Sequence, residues 1–402
     1  MKILMVNKFL YPNGGSETYM MKLGQYLSEH GNEVEYFGMN HEGNCFFNSA
    51  QSYTSDMDFH TASAISKVKM SFKTVYSKEA REKIRAVLES FEPDVVHLNN
   101  FNFQLTPSII LEIREWEKQN GKRVKIVYTA HDYQLICPNH MLLNPNTNAI
   151  CEDCIGGKFT ACTKNKCIHS STLKSVFGSL EAMYWNKNGV YENIDAVICC
   201  SRFMKSKLDT NPLFAKKTVA MHNFVGDLPV PESTVAKKPY VLYFGRFAQE
   251  KGVNTLIEAC KALPDINFIF AGSGPLEEKL DYADNIKNVG FKSGNELYSL
   301  IAGARFSVYP SEWYENCPYS VMESISLGTP VVGADIGGIP ELIDDTKTGL
   351  LFEVGNALQL TDIIRSLYSD GERLERMSEC CLMKKYVTVE EYAGKLTEIY
   401  RN

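Results

Sequence analysis

The chain has 402 residues, 44% of them apolar and 22% charged, with a formal charge of -6. That is an ordinary soluble composition sized for two domains, and its net acidity argues against wholesale nucleic-acid binding. No run approaches the ~20 apolar residues of a membrane span, and "MKILMVNKF" lacks the apolar length and small-residue cleavage site of a secretory signal, so a cytoplasmic protein is expected. Twelve cysteines in a long chain without an export signal point to reduced thiols or metal ligands before disulfides.

Short apolar runs at 2–7, 33–38, 94–99, 124–131 and 195–201, each followed by a helical pattern, predict parallel strands covered on both faces. The rhythm restarts at 240–246 and continues through 267–274, 288–291, 306–311, 330–335 and 349–352. Two doubly wound halves follow. Between them, residues 222–239 carry three prolines and little periodicity, as a linker does. The expected organisation is 1–222, a linker at 223–239, 240–384, and a C-terminal helix within 385–402 that packs back on the first half. Ligands of parallel sheets bind beyond the carboxyl ends of the strands, so chemistry is sought there.

After the first run, Gly14 and Gly15 precede a helix opened by Ser16 and Glu17. Glycines admit a ligand close to the backbone and helix N-terminal amides attract phosphate, although a plain strand-to-helix turn looks the same. After the fourth run stands His131, a structural hydrogen-bonder or a reactive group. Cys137 then opens an insert, 137–170, holding Cys151 and Cys154 as C-x2-C and Cys162 and Cys167 as C-x4-C. Four thiolates suit a structural zinc, with Cys137 as an alternative ligand; free thiols and disulfides are the other readings.

In the second half, Arg246 and Lys251 stand five residues apart after a strand and can clamp a diphosphate or simply face solvent. Gly272 and Gly274 end the next run. In "WYENCPYSVMES", Glu315 lies in a loop and Glu323 about two turns along a helix starting near Pro318. Each carboxylate can accept hydrogen bonds from the diols of a sugar or ribose, and surface solvation is the alternative. Gly337 and Gly338 form a third glycine turn.

In this order these motifs resemble the retaining, nucleotide-sugar-dependent glycosyltransferases of family 4. The resemblance covers the whole chain and implies the GT-B fold: α/β, two Rossmann-like domains facing a central cleft. It further implies that Arg246 and Lys251 hold the diphosphate of a UDP- or GDP-sugar, Glu323 the ribose hydroxyls and Glu315 the transferred sugar. Asn316, Cys317 and Pro318 would lie against sugar or phosphate, Phe291 and Lys292 against the base, Gly15 against the phosphates, and His131 near the reacting carbon. Asn316 stands where relatives often have glycine. No catalytic metal is expected, since the one D-x-D, at 56–58, follows no apolar strand. The implied acceptor is a glycan or lipid-linked glycan of cell-surface polysaccharide synthesis, and the cysteine insert is expected to overhang the acceptor side. Basic stretches, with seven Lys/Arg against two Glu in 65–85 and ten against four acids in 158–217, suggest peripheral contact with anionic membrane. Rival readings are another GT-B enzyme, an epimerase or phosphorylase, and a non-catalytic zinc-lobe scaffold.

Overall fold

The structure is a computed structural model that describes residues 1–56, 75–226, 228–229 and 235–402. Met57 and Asp58 of the D-x-D triplet, most of the basic stretch 65–85 up to residue 74, and linker residues 227 and 230–234 lie outside the described residues.

The first half runs β1 (Lys2–Val6), α1 (Gly15–Glu29), β2 (Glu33–Phe37), α2 (Lys78–Phe91), β3 (Val95–Leu98), α3 (Ser108–Asn120) and β4 (Lys125–Ala130). The insert follows with β5 (Leu143–Asn144), β6 (Ala149–Ile150) and α4 (Thr160–Lys164), then α5 (Thr172–Lys187), β7 (Ala196–Cys199), α6 (Arg202–Leu208) and β8 (Thr218–Ala220). The sheet order is β2-β1-β3-β4-β7-β8, and every neighbouring pair is parallel. β3 and β7 are buried at every residue, which is why their sequences do not alternate; β7 is wholly apolar and β3 is apolar but for His97. The helices read by their caps and stripes. In α2 the Ser77 hydroxyl accepts from the Ala80 N–H at 3.1 Å, and Ala80, Ile84, Val87, Leu88 and Phe91 form the buried face at helical spacing.

The second half runs β9 (Val241–Phe244), α7 (Val253–Lys261), β10 (Phe268–Ala271), β11 (Ile286–Asn288), α8 (Gly294–Gly303), β12 (Phe306–Tyr309), α9 (Tyr319–Ser326), β13 (Val331–Ala334), β14 (Gly349–Phe352), α10 (Ala357–Ser369) and α11 (Gly371–Met383). Its order is β11-β10-β9-β12-β13-β14, again all parallel. β11 begins two residues earlier than the sequence suggests, because the strand is a short edge and the chain turns out of the sheet at Gly290, with φ of 70°.

Contacts group Met1–Thr147, Cys151–His222 and Val389–Asn402 into one compact unit, and Asn148–Ile150 with Asn223–Thr388 into another. The last helix, α12 (Val389–Arg401), therefore belongs with the first half. Its anchors are polar: the Tyr392 hydroxyl meets that of Tyr19 at 2.9 Å, and the Tyr400 hydroxyl meets His97 Nδ1 at 2.5 Å.

Candidate functional site

In the second half the chain steps outward from β9 through β10 to β11 and then returns to the other side of β9 with β12. The strand order reverses between β9 and β12, where a parallel sheet opens a crevice at its carboxyl end. Lys251 follows β9 and Glu315 follows β12. Gly252, at φ 70°, lets the first of these loops come close: a Cβ there would sit 1.8 Å from the Pro310 carbonyl oxygen, so only glycine fits.

The result is a direct ion pair, Lys251 Nζ to Glu315 Oε1 at 2.6 Å. The same oxygen accepts from Trp313 Nε1 at 2.6 Å, Ser311 Oγ at 2.9 Å and the Tyr309 hydroxyl at 3.1 Å. The third glycine turn holds the backbone, since the Gly338 N–H donates to the Glu315 carbonyl at 2.7 Å and a Cβ on Gly337 would lie 2.4 Å from that carbonyl. Burial would raise the Glu315 pKa, but Lys251, Trp313 and Ser311 outweigh it and keep the carboxyl below its usual range. This is a fixed, ionised carboxylate, only 6% exposed.

The other expected residues are placed as follows. Arg246 is exposed and engaged by Glu250, four residues on. Gly272 packs against the Gly245 carbonyl. Phe291 is 73% exposed, and Lys292 pairs loosely with Glu296 at 3.5 Å. Asn316 is half-buried, Cys317 is buried with its thiol pushed up to about 12 by burial, and Pro318 caps α9. Glu323 is half-buried in the second turn of α9, where its carbonyl accepts from the Leu327 N–H. A cavity of 840 Å³ in this half is lined by Lys238, Tyr240, Phe268, Asn285 and Lys292 among others, and by none of Arg246, Lys251, Glu315 or Glu323.

In the first half the order reverses between β1 and β3. Gly14 is the N-cap of α1 in extended backbone, and Gly15 is its first residue. Glu17 in that first turn is buried, accepting from Asn7 Nδ2 at 2.9 Å and Ser16 Oγ at 3.0 Å, while Asn100 Nδ2 donates to Ser16 Oγ at 2.8 Å. His131 Nε2 lies 3.0 Å from Asn99 Oδ1, which can only accept, so that nitrogen carries the proton. Burial pushes the His131 pKa down to about 4, leaving a neutral imidazole whose edge packs on Tyr19 at 4.9 Å.

The expected zinc site is not formed. Among the described residues no group of three or more His, Cys, Asp or Glu side chains is arranged to hold a metal ion. The thiols find protein partners instead. Cys137 donates to Asn139 Oδ1 at 2.8 Å, Cys151 accepts from Asn165, and Cys162 and Cys167 hydrogen-bond each other. Cys154, Cys162 and Cys167 pack with Phe159 and Ala182 in one apolar cluster, and burial pushes the Cys154 thiol up to about 12. All twelve cysteines are free.

Residues that the sequence reading passed over complete both sites: Tyr309, Ser311 and Trp313 around Glu315, Glu250 on Arg246, and Asn99 and Tyr19 on His131. The only signal was local. Four hydrogen-bonding side chains in "SEWYE" beside a glutamate are more than a solvated loop needs.

The profile of Glycosyltransferase Family 4 matches residues 13–226, and that of Glycosyl transferases group 1 matches 229–380. An alpha-D-kanosaminyltransferase of Streptomyces kanamyceticus is 33% identical over 153 residues, 35% of this chain but only 39% of that protein. An uncharacterized 42.6 kDa protein in the cps region of Klebsiella pneumoniae is 22% identical over 85% of this chain and 87% of its own. Among solved structures, Anabaena HepE in complex with UDP superposes with a TM-score of 0.67 at 15% identity, covering 99% of each chain. With two parallel Rossmann-like sheets and profile matches along both halves, the chain has the GT-B fold and belongs to Glycosyltransferase Family 4.

Proposed function

We propose that the protein transfers a sugar from a UDP- or GDP-sugar to a hydroxyl of a glycan or lipid-linked glycan, with retention at the anomeric carbon, in cell-surface polysaccharide synthesis. The observation that carries this reading is the Lys251–Glu315 pair at the β9/β12 switch point, with Trp313, Ser311 and Tyr309 fixing the carboxylate. A buried ionised carboxylate aligned this firmly is a preorganised acceptor for sugar hydroxyls. Lys251 neutralises it in the free protein and is positioned to share its charge with a diphosphate.

In this reading the bond from the anomeric carbon to the diphosphate breaks, the acceptor oxygen bonds to that carbon on the same face, and the acceptor proton passes to the leaving diphosphate. No protein nucleophile is needed, and the charge that develops on the leaving group is met by Arg246 and Lys251 rather than by a metal. Glu323 holds the ribose, Phe291 and Lys292 lie along the base, and His131, neutral, offers a hydrogen bond near the reacting carbon. Gly14 and Gly15, with Gly272, Asn316, Cys317 and Pro318, bring backbone to the phosphates and sugar. The uncharacterized cps-region relative and the UDP complex of HepE support the pathway and the donor class. A cytoplasmic place against the inner face of the membrane fits a lipid-linked acceptor.

The test is a hydrolysis and transfer screen over UDP- and GDP-sugars, with and without lipid-diphosphate acceptors. Turnover of one donor, stimulated by an acceptor, is expected. Interconversion of nucleotide sugars without transfer would move the assignment to an epimerase.

A further inference from the structure

Helix α5 exposes a stripe of large apolar side chains. Its inward face is small and polar along most of its length, with Ser175, Gly178, Ser179 and Ala182, and ends on the buried ring of Trp185. That face is stitched to the cysteine insert, with the Ile168 N–H donating to Ser175 Oγ at 3.0 Å, Ser179 Oγ donating to the Phe159 carbonyl at 2.8 Å, and Thr163 Oγ1 meeting Ser179 Oγ at 2.8 Å. A Cβ on Gly178 would lie 2.3 Å from Ile168 Cδ1, so the contact is close as well as polar. Apart from Trp185 and Met183, the large apolar side chains lie on the other side. Leu173, Leu180 and Tyr184 are 60%, 48% and 44% exposed, and with half-buried Phe177 they recur at i, i+4, i+7 and i+11, one stripe down one side of the helix. An ordinary surface helix places these two classes of residue the opposite way round.

Charge narrows what can cover the stripe. Lys158, Lys164, Lys166, Lys174 and Lys187 are all exposed, and none is in an ion pair among the described residues. The only acid in residues 158–187 is the half-buried Glu181, against these five lysines. An apolar stripe within a cationic surround fits the boundary between acyl chains and anionic head groups, where the apolar side chains insert and lysines reach phosphate.

We propose that the outward face of α5 is a membrane-docking surface that inserts Leu173, Phe177, Leu180 and Tyr184 into an anionic lipid leaflet, with the lysines of the α4–α5 region on its head groups. The biological sense of this rests on a lipid-linked acceptor, but the surface itself does not depend on that reading. Clamped to the cysteine insert by its small polar face, α5 carries the insert with it to the membrane.

The experiment uses the full chain. Sedimentation with vesicles of equimolar phosphatidylcholine and phosphatidylglycerol is compared with vesicles of phosphatidylcholine alone, for wild type and for Leu173→Gln/Leu180→Gln/Tyr184→Gln. All three side chains are exposed, and thermal unfolding checks that the variant folds. Wild type is expected to bind the anionic vesicles, with about tenfold weaker partitioning for the variant and for neutral vesicles. Hydrolysis of the donor in solution should be unchanged in the variant, which separates this proposal from the proposed activity. No wild-type binding, equal binding by the variant, or a wild-type dimer that the variant converts to monomer would overturn it, the last by making the stripe a protein interface.

Discussion

The two switch points of this chain do opposite things with charge. At β9/β12 a lysine and a carboxylate are held 2.6 Å apart as an ion pair, and the carboxylate collects three further donors. In the first half, at and beneath the carboxyl ends of β3 and β4, two histidines, His97 and His131, are kept neutral. His97 is buried with Nδ1 on the Tyr400 hydroxyl and Nε2 on Thr129 Oγ1 at 2.7 Å, and burial pushes its pKa down to about 3, with the nearby His131 adding to the shift. Thr129 also meets Tyr19, and Tyr19 meets Tyr392. Similar sheets thus hold a charged cluster in one half and a neutral, internally hydrogen-bonded network in the other.

The largest effect should come from removing the carboxylate. Glu315→Ala leaves Lys251 and three hydrogen-bond donors without their common acceptor. It should cost about 3 kcal/mol in denaturant unfolding and lower donor turnover by at least about 100-fold. Glu315→Gln keeps an acceptor oxygen and should recover part of the stability but not the turnover. If the two variants behave alike in both measurements, the charge at β9/β12 is not what matters.

The pH dependence separates the halves further. A histidine whose folded pKa is depressed binds fewer protons folded than unfolded. Its stability is therefore complete above the unfolded value of about 6.5 and falls with pH down to about 3, by at most about 1.4 kcal/mol per pH unit. Glu315, also depressed, contributes stability above its unfolded value of about 4.3 and loses it as pH falls through its folded value. Acid unfolding followed by fluorescence should therefore begin near pH 6 through the first half, and His97→Gln should flatten that upper part of the curve. An unchanged slope would mean that other groups govern it.

Smaller effects sharpen the picture. If Glu323 holds the ribose as proposed, Glu323→Ala should weaken nucleotide binding about tenfold while leaving saturated turnover nearly unchanged, since such a contact is made equally in ground and transition states. Tyr400→Phe removes one hydroxyl from His97 and should cost about 1 kcal/mol, read as a lowered denaturation midpoint.

The fold was largely legible, because parallel strands buried on both faces write themselves as apolar runs, and glycine turns mark their carboxyl ends. β8 was not, since Thr218–Ala220 is too short to carry a pattern. The candidate site was legible as a set of residue types but not as a set of partners. Nothing local says that Lys251 will meet Glu315 across 64 positions, which depends on β9 and β12 being neighbours. Spacing suggests converging thiols and the cysteine insert does gather them, with three in its apolar core, but among the described residues no group is arranged to hold a metal ion.

Whether the β9/β12 switch point is a nucleotide-diphosphate site is decided by calorimetric titration of UDP and GDP into wild type and Arg246→Ala. Arg246 is exposed, so its removal should leave the fold intact. One of the two nucleotides should bind wild type, and the variant should bind it about tenfold more weakly. Binding of neither nucleotide, or equal binding by wild type and variant, would contradict the account.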